Sequence, residues 1–93
     1  MAGFHIEKEA DVLHVGMEIE VHVIGEPNEP YFYQEIKDKV VTKSEMAFLS
    51  ATGENKGLHR FTEPGEYEFR LRGYDNNGNA MPFVYSELIK VLP

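Results

Sequence analysis

Apolar and polar residues alternate along most of this chain, and a period of two predicts strands that bury one face. Met17, Ile19, Val21 and Val23 alternate with Glu18, Glu20 and His22, a strand of about seven residues. Phe4 and Ile6 predict a shorter edge segment before it. Residues 11–16 predict a short strand whose Gly16 lets the chain step into the next one. Gly25-Glu26-Pro27-Asn28-Glu29-Pro30 is turn chemistry. Residues 31–36 are rich in strand formers, with Tyr31 and Tyr33 on one face and Phe32, Gln34 and Ile36 on the other. Phe32 is expected in the core, which turns the tyrosines outward. The charged stretch 37–44 leaves Val40, Val41 and Thr42 as a candidate edge strand. Met46-Ala47-Phe48-Leu49 suits either a strand or a short helical turn, and residues 51–57 read as loop.

The last third is the most regular. Pro64-Gly65 predicts a turn, after which Tyr67, Phe69 and Leu71 alternate with Glu66, Glu68, Arg70 and Arg72 as a long half-buried strand. Asp75-Asn76-Asn77-Gly78-Asn79 supplies residues that tolerate positive φ for a reversal, and residues 83–91 return as the final strand. About seven short strands separated by turns every 8–12 residues or so predict an all-β, immunoglobulin-like antiparallel β-sandwich. No helical period of useful length interrupts it. The 93 residues make one domain, 1–93, since a second core needs more chain.

The run His59-Arg60-Phe61-Thr62-Glu63-Pro64-Gly65-Glu66-Tyr67-Glu68-Phe69-Arg70-Leu71 resembles the closing half of PKD-like and related bacterial and phage immunoglobulin-like domains. The resemblance covers about residues 57–92. It implies a fold and no particular activity, because such domains serve adhesive, sensory, carbohydrate-associated and viral proteins alike. Its physics is local: Gly65 permits the bend, Pro64 stiffens it, and Tyr67 stands where a sandwich places a corner tyrosine bonded to nearby backbone. The tryptophan-aspartate-glycine segment of PKD domains is missing, as are the cysteine pair and core tryptophan of antibody domains. Phe32 is expected to take the tryptophan position, with Val21 and Phe69 replacing the bridge.

Composition narrows the function. The chain is 42% hydrophobic and 27% charged, which suits a folded core. Sixteen acidic against nine basic residues give a net charge of -7, so nucleic acid and anionic bilayers are repelled. No stretch approaches a membrane span, and residues 1–8 carry neither a charged nor an apolar leader region. Without cysteine the core holds by packing alone.

Candidate chemistry is sparse. His22 shares a row with Glu18 and Glu20, a pattern that suits a divalent cation but equally an exposed strand face; His14 adds no ligand spacing. His59 is expected to make a structural hydrogen bond. The 75–79 segment lacks the later bidentate glutamate of a calcium loop and reads as a turn. Ser44, Ser50 and Ser86 sit in no nucleophile motif, and no carboxylate pair is placed around a cleft. No catalytic residue, cofactor or metal is therefore expected. The aromatic residues are the better lead: Tyr31, Tyr33, Tyr74, Phe83 and Tyr85 exceed what a small core holds and suit a recognition surface. Pro64, Gly65, Tyr67, Phe69 and Leu71, with Phe32, are expected to be structural.

These features point to a non-enzymatic contact module with a protein partner. The expected setting is a bacteriophage virion, as a capsid decoration or tail accessory docked on a capsid or tail protein. The alternative is a carbohydrate-binding or spacer module of a secreted multidomain bacterial protein, with Tyr31, Tyr33 and Tyr74 stacking on sugars.

Overall fold

In the computed structural model, which describes residues 2–93, the alternating segments become strands in two sheets. β1 (Gly3–Lys8), β3 (Glu18–Ile24) and β6 (Glu54–Arg60) form the smaller sheet in the order β1-β3-β6. β2 (Leu13–His14), β9 (Ile89–Leu92), β7 (Gly65–Arg72), β4 (Pro30–Lys37) and β5 (Val40–Phe48) form the larger one in that order, and β8 (Val84–Tyr85) pairs with β7. Among the described residues there is no helix. Setting aside the two-residue β2 and β8 leaves seven strands, and the fold is an immunoglobulin-like sandwich. One pairing departs from the antiparallel expectation: β2 runs parallel to β9, because the chain changes sheets between β1 and β2.

Alternation on β3 and β7 builds the core. Ile19, Val21 and Val23 face Tyr67, Phe69 and Leu71, and Leu13, Leu49, Phe61, Ile89 and Val91 close around them. Each fully buried aliphatic or aromatic side chain contributes about 1.5–3 kcal/mol relative to exposure. Tyr67 delivers its ring to this space and its hydroxyl donates to the Glu63 carbonyl at 2.6 Å, the expected corner.

Three expectations need correction, and a fourth, the candidate edge strand at Val40, Val41 and Thr42, is borne out and lengthened. The faces of β4 are reversed: Tyr31 and Tyr33 are 5% and 8% exposed and belong to the core, whereas Phe32 lies on the outer side. The register explains this, since residues paired across antiparallel strands share a face: Tyr33 pairs with the inward Leu71 and Phe32 with the outward Arg72. Residues 40–48 form one continuous edge strand, entered through a two-residue hairpin turn in which Asp38 and Lys39 hold φ of 49° and 67°. Residues 54–57 are strand and not loop, because pairing with β3 supplies the ladder that their weak propensity does not. Finally, the last strand is broken. Ser86 leaves the ladder, and its Oγ accepts the Phe69 amide at 2.8 Å while its own amide donates to the Phe69 carbonyl.

Candidate interaction face

The side of the larger sheet turned away from the core is built by register. Phe32 pairs with Arg72 on one side and Met46 on the other, Gln34 with Arg70, Pro30 with Phe48, and Arg70 with Tyr85. Strand alternation then puts Phe32, Met46, Phe48, Arg70, Arg72 and Tyr85 on one surface. Two arginines organise it. The Arg70 guanidinium lies 4.2 Å from the Phe83 ring centroid and 6.0 Å from that of Tyr85. Arg72 lies 4.8 Å from Phe83 and 5.3 Å from Phe32. Such stacking contributes about 0.5–1 kcal/mol per contact at exposed sites. Arg70 Nε also donates to Gln34 Oε1 at 2.6 Å, which fixes the plane of its fork. Arg72 Nε is buried with no hydrogen-bond partner.

Around this lattice the surface is apolar and open. Met46 and Phe48 are 57% and 68% exposed, and Tyr85 is 51% exposed. The Tyr74 hydroxyl donates to Met46 Sδ at 3.4 Å, which draws the 74–80 turn to the same surface. Of the expected recognition residues, Tyr74, Phe83 and Tyr85 are thus brought together, while Tyr31 and Tyr33 are not. Met46, Phe48, Arg70 and Arg72 were missed as members. The signal for the two arginines lay in β7, whose alternation with the buried Tyr67, Phe69 and Leu71 already turned both outward; Met46 and Phe48 join them through the register of β5 on β4.

The buried tyrosines end in a polar cleft of about 300 Å³ between the free edges of β5 and β6. Tyr33 donates to Glu35 Oε2 at 2.8 Å, and His59 Nδ1 stands 3.6 Å from that oxygen. Burial pushes the Tyr33 hydroxyl well above its ordinary pKa, and the neighbouring Glu35 carboxylate adds to it. Burial also pushes the Glu35 carboxyl up, but the adjacent His59 imidazole, the hydrogen bond from Tyr33 and the charge of Lys43 outweigh it and hold the group below its ordinary value. The Tyr31 hydroxyl accepts from Asn55 Nδ2 at 2.8 Å, and that amide also donates to the Phe48 carbonyl, so Asn55 ties the two sheets at this edge. The arrangement satisfies buried polar groups. His59 packs 4.9 Å from the Phe61 ring centroid, so ring packing beside Glu35 stands where a structural hydrogen bond was expected of it.

The remaining candidates fall in two classes. Asp75 Oδ1 accepts the Asn77 and Asn79 amides, each at 2.9 Å, so this carboxylate closes a turn. His14 Nδ1 lies 3.1 Å from the Pro93 oxygen at the end of the chain. On the outer face of the smaller sheet, Glu7, Glu20 and His22 bring potential metal-binding atoms within 4.8 Å of one another.

No protein-family model matches the chain, and no curated protein matches it. Among solved structures, the CARDB domain of a Pyrococcus furiosus protein, solved in complex with di-metal ions, is similar at a TM-score of 0.57 and 18% identity over 99% of this chain and 93% of that one. A likeness at this identity shows the fold alone: the chain shares the sandwich of that domain.

Proposed function

We propose that this chain is a non-enzymatic binding module that docks on another protein through the outer face of its larger sheet. The observation that carries this reading is the arginine-aromatic lattice of Arg70, Arg72, Phe32, Phe83 and Tyr85, flanked by the exposed Met46 and Phe48. Aromatic residues, methionine and arginine are the types enriched at the cores of protein interfaces, where pre-ordered side chains cost little entropy on binding. Electrostatics supports the same face. In a chain of net charge -7 it presents two guanidinium groups amid apolar surface, a fit for a partner with apolar and acidic groups. The finer reading is a virion accessory seated on a capsid or tail protein; its support is a small cysteine-free sandwich with an acidic surface and one apolar sheet face. The carbohydrate reading loses Tyr31 and Tyr33, which are core residues.

Photo-crosslinking from source cells tests this. A crosslinking residue at Phe48 or Tyr85 should give adducts with one discrete protein, and a capsid or tail subunit in that adduct supports the virion setting. Adducts formed only from Glu7, on the opposite sheet, count against the reading.

A further inference from the structure

On the outer face of the smaller sheet, β1 and β3 pair so that Glu7 lies opposite Glu20 and His5 opposite His22. Two carboxylates directly opposed across strands repel. Two cations on these strands and their neighbour β6 are engaged with other carboxylates: Lys8 pairs with Glu87 at 3.0 Å, and Arg60 pairs with Glu18. Lys56, the β6 partner of His22 in register, makes no ion pair among the described residues. His22 is the buried polar residue of the described chain, 8% exposed, although alternation turns it away from the apolar core. Its ring is held edge-on by His5 at 5.4 Å between centroids, and its Nε2 is directed at Glu20 Oε1. His5 Nε2 in turn stands 3.4 Å from Glu7 Oε1.

The geometry points to a divalent-cation site formed by Glu7, Glu20 and His22, with His5 beside it as a further donor. The donor atoms of the first three lie within 4.8 Å of one another, so modest side-chain rotation brings them to the roughly 2.0–2.2 Å bond lengths of a small borderline ion. One imidazole with two carboxylates suits zinc or a neighbouring first-row ion better than calcium, which takes an all-oxygen shell. The ligands come from paired strands and not from a loop, so the backbone already fixes their spacing. A bound ion removes the Glu7–Glu20 repulsion and fastens the edge strand β1 to β3. The site therefore raises stability when filled.

The test is isothermal titration of zinc into chelator-treated protein, read beside the thermal midpoint. Saturable one-to-one binding with a rise in midpoint is expected, weakened on the order of tenfold or more by Glu20→Gln and by His22→Ala. Because His22 is buried, its variant risks unfolding; Glu7→Gln, at a side chain 60% exposed, carries the same expectation in a folded chain. His14→Ala serves as the control and leaves binding unchanged. No saturable binding to the folded chain overturns the site, as does binding that persists in Glu7→Gln and Glu20→Gln and disappears in His14→Ala.

Discussion

The Tyr67 hydroxyl donates to the carbonyl of Glu63, four residues earlier, at 2.6 Å, and so anchors the Pro64-Gly65 bend to the core. Tyr67→Phe keeps the ring among Phe61 and Phe69 and removes this one bond. The expected loss is about 1 kcal/mol, or a fall in thermal midpoint of about 4–8 °C. Tyr67→Ala empties a core position and should cost about 3–5 kcal/mol. Urea unfolding of both variants separates the hydrogen bond from the packing.

Gly65 has φ of 152°, and a Cβ there would stand 2.9 Å from Asp38 Oδ2. Gly65→Ala should therefore destabilise by about 1–3 kcal/mol through backbone strain and crowding together. Combining it with Asp38→Ala clears the space but leaves the unfavourable φ. The two changes should accordingly be non-additive in a double-mutant cycle measured by chemical denaturation.

Acid should weaken the fold through identifiable carboxylates. The Glu66 amide, then Lys37, hold Asp38 below its ordinary pKa, and the Asn79 amide heads the set of donors that does the same for Asp75. Glu35 is lowered despite its burial by the adjacent His59 imidazole and the hydrogen bond from Tyr33. A carboxyl lowered on folding stabilises at pH above its unfolded value, about 4, and that contribution disappears as pH falls through the folded value. Protonation also relieves repulsion in a chain of net charge -7, so the variants, and not the total slope, carry the test. Asp38→Asn and Asp75→Asn should each flatten the fall in thermal midpoint below about pH 4 relative to the parent chain.

The two faces of β4 should respond unequally to truncation. Tyr33 stacks on Phe69 with planes 9° apart and centroids 6.2 Å apart, so Tyr33→Ala should cost about 3 kcal/mol or more. Phe32→Ala removes a stacking surface for Arg72 and should cost about 1 kcal/mol. Thermal melts of the pair check the order, and a larger loss for Phe32→Ala would restore the opposite orientation of the strand.

How much of this was legible in the sequence follows from where the deciding forces act. On β3 and β7 one face is apolar and the other charged, so alternation alone assigns the core. Pro64, Gly65 and Tyr67 act within a few residues of one another, and the corner could be read locally. On β4 both faces carry aromatics. The choice between Tyr33 and Phe32 rests on their partners Leu71 and Arg72, far along the chain, and on Glu35 and Asn55 satisfying the tyrosine hydroxyls. β6 begins with Glu54, Asn55, Lys56 and Gly57, poor strand formers that only pairing with β3 holds extended. The hairpin at Asp38-Lys39 contains no glycine, so its positive φ values gave no signal, although the Asp38 carboxylate secures them through Glu66. The contact face was half visible for the same reason: Phe83 and Tyr85 stand out by composition, whereas Arg70 and Arg72 acquire their role only when register sets them under those rings.

Oxidative footprinting of the folded chain, read residue by residue in mass spectra, tests the outer face most directly. Met46, Phe48 and Tyr85 should be modified readily in the free protein and protected in its native complex, while Tyr31 and Tyr33 stay unreactive in both. Modification of Tyr31 and Tyr33 at the rate of Phe48 and Tyr85 in the free chain, or protection confined to the opposite sheet in the complex, would contradict the account.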